Sequence, residues 1–379
     1  MMATSDIAAG EVIVSVPKKF LMTKDTLLRL YGPHSLSTQQ LLAVHLVLLS
    51  QEPQSWWKPY LDLLPSHFDT MPVKFPKMLA DHLPASLHEE VAQQKAKIQS
   101  DYLSASRFLQ AKSAQTGKTY TMTPEEYEWA WLCVNTRCIH MATAYSAGQA
   151  GNLAMAPMLD FLNHSCEAQI DSGFNQRQQC FEIRTLIPYR KGEQVFINYG
   201  PHDNFAILRE YGFVLSNNFY NFVPLDKEVW ELFEEMENKT ACAIKKSALE
   251  RAGYAGDYSM KKNEASFRLL CALRLLAIEG AGRPGFERRV QEWQDVLMGE
   301  TEYISIDNER RVFIMLKWLC DRVSQTATKQ QEALSQLSTK VQESKIHPFA
   351  LRFLKQIWQE TQDIVNTMLI ETETKLQSF

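Results

Sequence analysis

The chain is expected to fold as an α+β protein, with a β-rich first part carrying a helical insertion and an all-helical second part. Three observations predict this. Runs with strand character, Glu11–Val16, Cys180–Thr185 and Gln194–Asn198, lie far apart in the sequence. From about residue 46 to 120 the intervening pattern is mostly helical, punctuated by Pro53, Pro59, Pro65, Pro72, Pro76 and Pro84. After about Ser216, helical periods run nearly to the end. A boundary is therefore placed near residue 215, giving parts 1–214 and 215–379, and the 379 residues are enough for each part to hold a core.

In chain order, Ala9-Gly10 turns into the alternating strand Glu11–Val16. A related phrase, Pro188–Val195, also sets a Gly-Glu turn before a strand. Thr38–Gln51 reads as a helix with Thr38 as its N-cap and leucines on a helical period. Ser86–Ala114 reads as one long amphipathic helix. Thr123, Pro124 and Glu126 supply a cap, a first-turn proline and a reciprocal acceptor, opening a helix that runs to about Met141. Asn152–Cys166 is mostly apolar and reads as buried. Asp203–Tyr211 is a short helix ended by Gly212. Further helices are expected at Lys227–Asn238, Ser247–Ala252, Asn263–Glu279, Phe286–Met298, Glu309–Ser344 and Pro348–Thr372. Within them, Ser324–Glu343 is rich in Gln, Ser and Lys and reads as a solvated helix or a connection.

Bulk properties narrow the function classes. A net charge of −4 gives no general drive toward nucleic acid, so no direct nucleic-acid contact is expected. The longest apolar stretch, Leu41–Leu49, is interrupted by His45 and is far too short to span a bilayer, so no membrane contact is expected. The first ten residues carry Asp6 and lack the basic-then-apolar layout of a secretory signal. The seven cysteines are widely spaced without a CxxC pair, which fits reduced intracellular thiols and argues against a zinc site. Lys18-Lys19, Lys245-Lys246 and Lys261-Lys262 are pairs and not a basic run, so the expected location is cytoplasmic and/or nuclear.

Two segments carry the chemistry: Leu159–Cys166 (LDFLNHSC) and Val195–Val214 (VFINYGPHDNFAILREYGFV). Polar amides, a pair of tyrosines and no metal cluster suggest a site that orients reactants and does not activate water. Tyr199 and Tyr211 are either core residues with satisfied hydroxyls or flat apolar walls that each carry one hydroxyl. Asn163 and His164 either end a buried strand by bonding local backbone or meet the polar ends of a nucleoside. Asp160, His164 and Ser165 also invite a hydrolase triad. Their crowding within six residues and the lack of a nucleophile-elbow pattern argue against it.

The order of motifs adds to this. A Gly-Glu strand and a helical insertion come first. Trp129-Ala130-Trp131 with Val134-Asn135-Thr136-Arg137 follows, then Asp160–Ser165, Phe196–Gly200 and Glu210–Val214. The whole closely resembles SET-domain protein methyltransferases of the Rubisco large-subunit methyltransferase class, over nearly the full chain. The resemblance implies a SET fold over 1–214, a substrate-binding lobe over 215–379, and S-adenosylmethionine as methyl donor. It implies a protein or peptide substrate presenting a lysine, in a histone or another protein, and a monomeric enzyme. Tyr199 would be the catalytic tyrosine and would also touch the cofactor. Asn163, His164, Arg137 and Phe213 would bind the cofactor, with Arg137 at its carboxylate or, alternatively, in a structural salt bridge. Tyr211 and Ile197 would line the lysine channel, and no metal is implied.

Methyl transfer from a sulfonium to an amine is an in-line displacement, and hence a problem of positioning. The amine must also lose its proton, which burial in an aromatic channel and a nearby positive charge both favour. One departure stands out. The family carries a glycine-rich turn just ahead of the phrase that here reads Met2–Ile7, and that turn is absent from the sequence. A catalytically weak SET-fold module that holds a peptide is therefore the alternative, as is methylation of a protein histidine.

Overall fold

In the computed structural model, which describes residues 1–141, 153–338 and 346–379, the chain divides into two units. Met1–Phe75, Leu87–His202 and Ala206–Phe213 make the first; Pro76–Ser86, Asp203–Phe205 and Val214–Phe379 make the second. Pro76–Ser86, read from the sequence as part of the insertion, thus belongs to the second unit. Side-chain bonds tie it there. The Trp358 indole donates to the His82 carbonyl at 2.8 Å, and His82 Nδ1 lies 2.7 Å from Gln330 Oε1.

The β-rich part of the first unit is built from short strands. β1 (Val12–Pro17) and β2 (Met22–Thr23) precede the insertion; β3 (Cys138–His140), β4 (Leu153–Met155), β5 (Asn163–His164), β6 (Ile170–Asn175), β7 (Cys180–Thr185) and β8 (Phe196–Ile197) follow it. They pair as β1-β7-β6, β2-β4-β3 and β5-β8, the last pair being parallel. The related Gly-Glu phrases form like turns. Glu11 and Glu193 each accept a bond from the backbone N–H three residues earlier, at Ala8 (3.1 Å) and Arg190 (2.8 Å). The two phrases also pair with each other, Ile7 and Tyr189 exchanging backbone bonds of 2.8 and 2.9 Å. The likeness in sequence is therefore a likeness in structure, and it brings the start of the chain beside the segment leading to β8.

The helical insertion is longer than expected. Helices begin at α1 (Lys24–Tyr31) and continue through α2 (Thr38–Ser50), α3 (Lys58–Leu61), α4 (Lys77–Ala80, in the second unit), α5 (Ala85–Thr116) and α6 (Pro124–Arg137). Thr38 is the first helical residue of α2 and not its cap. Ser37 caps it, its hydroxyl accepting from Gln40 N (3.2 Å) while Gln40 Oε1 accepts from Ser37 N (2.8 Å). The capping box at Thr123 and Glu126 forms as read, with bonds of 3.1 and 2.7 Å. α6 stops at Arg137, short of Met141, because Cys138–His140 pairs with β4 as strand β3. α2 is buried nearly all round (Leu41 to Val47 and Leu49), as a helix at the centre of a core must be. α5 buries Leu87, Val91, Gln94, Ile98, Asp101, Ala105 and Leu109 at steps of three or four. Asp101 on that stripe accepts from Gln40 (2.8 Å), the Trp131 indole (3.0 Å) and Lys97 (2.7 Å), so its buried charge is fully bonded.

The second unit is not all-helical. β9 (Val223–Pro224), β10 (Ser259–Lys261) and β11 (Glu264–Ala265) form a small antiparallel sheet. The turn Lys262-Asn263, with Asn263 at φ 70, folds β10 onto β11 and shortens the helix expected from Asn263. The helices are α8 (Asp226–Met236), α9 (Lys239–Ala252), α10 (Phe267–Leu276), α11 (Phe286–Leu297), α12 (Ile306–Ser338) and α13 (Pro348–Gln377), with α7 (Asn204–Tyr211) crossing the division between units. α12 and α13 run antiparallel. Lys317 meets Glu373, Ser324 meets Gln362 and Gln331 meets the Trp358 carbonyl. Ser324–Ser338 is helical and buries Ala327 and Leu334, so the polar stretch there is one face of a packed helix; 339–344 lie outside the described residues, as does Asn152. Trp293 is fully buried and donates to the Cys271 carbonyl at 2.8 Å. The Arg274–Glu309 fork, with bonds of 2.9 and 2.7 Å, ties α10 to α12. Among the described residues no helix is long and apolar enough to cross a membrane.

His45 gives this core a pH dependence. It is 8% exposed, its Nδ1 lies 2.8 Å from the Tyr31 hydroxyl, and burial pulls its pKa down to about 4. The folded state therefore keeps a neutral imidazole where the unfolded chain, with an ordinary value of about 6.5, binds a proton. Stability contributed in this way is complete above about pH 6.5 and falls with pH until about 4, by about 3 kcal/mol in all. Urea titrations across this range should show that slope, and His45→Gln should flatten it.

Candidate active site

The two chemistry-bearing segments meet at the β5-β8 pair. Asn163 lies opposite Phe196 and His164 opposite Ile197, and Ser165 N donates to the Ile197 carbonyl at 3.0 Å. The chain then fixes Tyr199 from both ends. Its backbone N–H donates to His164 Nδ1 at 3.1 Å, and its hydroxyl donates to the Leu162 carbonyl at 2.7 Å. The His164 imidazole packs on the Tyr199 ring at 5.0 Å with the planes 22° apart. Burial holds His164 below its usual pKa, consistent with a ring nitrogen that accepts. Burial, then the neighbouring Tyr211, pushes the Tyr199 phenol up to about 12, so it is a donor at neutral pH and not a base.

Around Tyr199 is a pocket of about 230 Å³ whose walls include Arg137, Ile139, Asp160, Ile197 and Tyr211. The Tyr211 ring stands 4.9 Å from that of Tyr199, and burial raises its pKa as well. Phe213 packs 6.2 Å from Tyr211 and 6.4 Å from His164 and does not itself line this pocket. Gly212 joins the two rings at φ 77. A Cβ there would lie 2.8 Å from both Met71 Cγ and Thr70 Oγ1, so a close approach and a left-handed backbone both demand glycine.

Arg137 and Asp160 form the polar wall. Arg137 Nη1 reaches Asp160 Oδ2 at 3.3 Å and the Asp160 carbonyl at 3.1 Å, with the guanidinium 5.6 Å above the Phe161 ring. Asp160 Oδ2 also accepts from the Tyr60 hydroxyl at 2.8 Å. Burial pushes the Asp160 acid up, while the Tyr60 bond and Arg137 pull it down. Asp160 Oδ1 and Arg137 Nε are buried and have no partner among the described residues.

Of the residues singled out in the sequence, Tyr199, Tyr211, Ile197 and Arg137 share the pocket, and His164 supports it from behind. Asn163 is exposed, and its amide has no hydrogen bond among the described residues, so it does not close the strand by bonding local backbone. The hydrolase arrangement does not form. Asp160 is taken by Arg137 and Tyr60, and His164 Nδ1 by Tyr199. Sequence reading missed Asp160 as a pocket wall, although it stands inside the Leu159–Cys166 motif. It missed Tyr60 altogether, because that residue lies 100 positions away with no local signal. Among the described residues no cluster of His, Cys, Asp and Glu could hold a metal.

Gly212→Ala should cost at least about 2 kcal/mol of stability in denaturant melts and displace the Tyr211–Phe213 pair.

Comparison with known proteins agrees with this arrangement. The SET domain family model matches residues 1–200. SET domain-containing protein 4 of Mus musculus is 33% identical over 337 residues, covering 85% of this chain and 74% of its own. The ribosomal lysine N-methyltransferase set11 of Schizosaccharomyces pombe is 30% identical over 286 residues, covering 73% and 67% respectively. An actin-histidine N-methyltransferase of Canis lupus familiaris is 29% identical over 347 residues, covering 85% and 55%. The crystal structure of the SET domain of Rubisco LSMT bound to lysine and AdoHcy superposes with a TM-score of 0.62 at 17% identity, covering all of this chain and 85% of that one. Matched by the family model over more than half its length, and sharing the fold of the Rubisco LSMT SET domain, the chain belongs to the SET-domain family.

Proposed function

We propose that this chain is an S-adenosylmethionine-dependent protein-lysine N-methyltransferase. The observation that carries this is the pocket in which Tyr199 and Tyr211 face each other at 4.9 Å beside the Arg137–Asp160 pair. It places an apolar aromatic wall next to a charged one, as a reaction between a lysine side chain and a zwitterionic cofactor requires. S-adenosylmethionine supplies the methyl group as a sulfonium. The residues present suit it. Arg137 Nε is a buried donor and Asp160 Oδ1 a buried acceptor, both unpartnered among the described residues, which matches a carboxylate and an ammonium on one ligand. The exposed Asn163 amide is free to meet further polar groups, and the rings of His164 and Phe213 offer flat apolar contact.

Each residue then has a defined task. Arg137 orients the amino-acid end of the cofactor. Tyr211 and Ile197 confine the lysine and exclude water, which lowers the pKa of its ammonium from about 10.4. Tyr199 aligns the reacting groups. Its hydroxyl is pinned to Leu162 and stays protonated, so it stabilises charge and orients, and the lysine proton leaves to solvent before transfer. The helical second unit is assigned to substrate binding.

Histidine methylation is the second reading, favoured by the likeness to an actin-histidine N-methyltransferase over 85% of this chain. Both are separated by one experiment: incubation with methyl-labelled S-adenosylmethionine and a cell extract, then mass spectrometry of modified residues. Methyl-lysine supports the proposal and methyl-histidine the alternative. Tyr199→Phe should lower kcat roughly a hundredfold with folding intact, because it removes the fixed hydroxyl oxygen whose lone pairs align the reacting groups. Cofactor binding without any methylated product would point to a peptide-holding module.

A further inference from the structure

We propose that Tyr60, contributed by the helical insertion, is a positioning residue for this pocket: through Asp160 it fixes the Arg137 guanidinium at the pocket wall. The inference rests on the reading of the pocket as the S-adenosylmethionine site.

The geometry is a closed chain of contacts. Tyr60 stands on α3, is 8% exposed, and donates to Asp160 Oδ2 at 2.8 Å. The Asp160 side chain is wholly buried, and Arg137 reaches the same oxygen at 3.3 Å. The Tyr60 ring packs on Phe161 at 6.1 Å, and Phe161 lies under the guanidinium. A buried carboxylate is costly unless its charge is paired and its lone pairs are filled. Arg137 supplies the opposite charge and Tyr60 the additional donor. The other ionisable groups that act on Asp160 are the thiols of Cys133 and Cys138 and the phenol of Tyr199; burial raises the pKa of each, so all three are neutral and add no charge. Keeping Asp160 ionised therefore falls to Tyr60 and Arg137, against the burial that pushes its acid up. Once Asp160 is protonated, the ion pair that holds Arg137 to the wall is lost.

Binding of S-adenosylhomocysteine, followed by calorimetry from pH 5 to 9, tests this without turnover. Tyr60→Phe keeps the ring and removes the donor. It should weaken binding roughly tenfold near neutral pH and shift the acid-side loss of affinity to higher pH. Asp160→Asn should abolish that loss, and in its background Tyr60→Phe should add less than about a twofold effect, because the two act as one. Replacing Tyr60 with 3-fluorotyrosine, a stronger donor of the same shape, should shift the loss to lower pH and decides the matter if Tyr60→Phe does not fold. An unchanged pH profile in either Tyr60 variant, or a full Tyr60→Phe effect in the Asp160→Asn background, overturns the proposal. Failure of the unmodified chain to bind would overturn the pocket reading beneath it.

Discussion

Everything at the site hangs on the two-residue parallel pairing of Asn163–His164 with Phe196–Ile197. The pair is too short to stabilise itself, since isolated two-stranded pairings are marginal in water. It is held by what crosses it: Tyr199 N on His164 Nδ1, Tyr199 hydroxyl on the Leu162 carbonyl, and the Asn198 amide on the Cys166 carbonyl. These bonds also determine chemistry. A histidine that accepts must be neutral, and a tyrosine that donates must be protonated. The same contacts that close the fold thus set the protonation states at the pocket.

The polar wall shows a different economy. Asp160 carries a buried charge, and the donors to its carboxylate come from two places in the sequence. Arg137 comes from the end of α6 and Tyr60 from α3, and the Asp160 carbonyl in turn accepts from Arg137. A helical insertion can look like an ornament on a β-rich domain. Here it supplies both partners of the carboxylate, so the core around α2 and α6 and the pocket are energetically linked. Arg137 Nε and Asp160 Oδ1 are left without a partner among the described residues, and both residues line the pocket.

Much of the fold was legible in local sequence. Thr123 and Glu126 announced a capping box, and Gly10-Glu11 and Gly192-Glu193 announced equivalent turns, because each signal is complete within four residues. Errors came where pairing with distant chain overrode local preference. Cys138–His140 left the helix pattern to join β4, and Asn263–Ala265, expected to open a helix, instead closes a hairpin onto β10, which itself pairs with β9. The N-cap of α2 fell one residue earlier than read because Ser37, not Thr38, has Gln40 at the reciprocal position.

The sequence by itself determined the family, the order of the motifs and part of the pocket lining, namely Arg137, Ile197, Tyr199 and Tyr211, because these are carried by side-chain types in a fixed order along the chain. It determined the donor role of Tyr199 only in outline, since an exposed phenol and a buried one differ in pKa and not in name. Tertiary structure alone decided that Asp160 is a buried carboxylate bridging Arg137 and Tyr60, that Asn163 points outward, and that Gly212 is wedged against Thr70 and Met71. Burial and hydrogen-bond partnership are properties of neighbours, and neighbours 100 residues apart leave no mark on the sequence around either one.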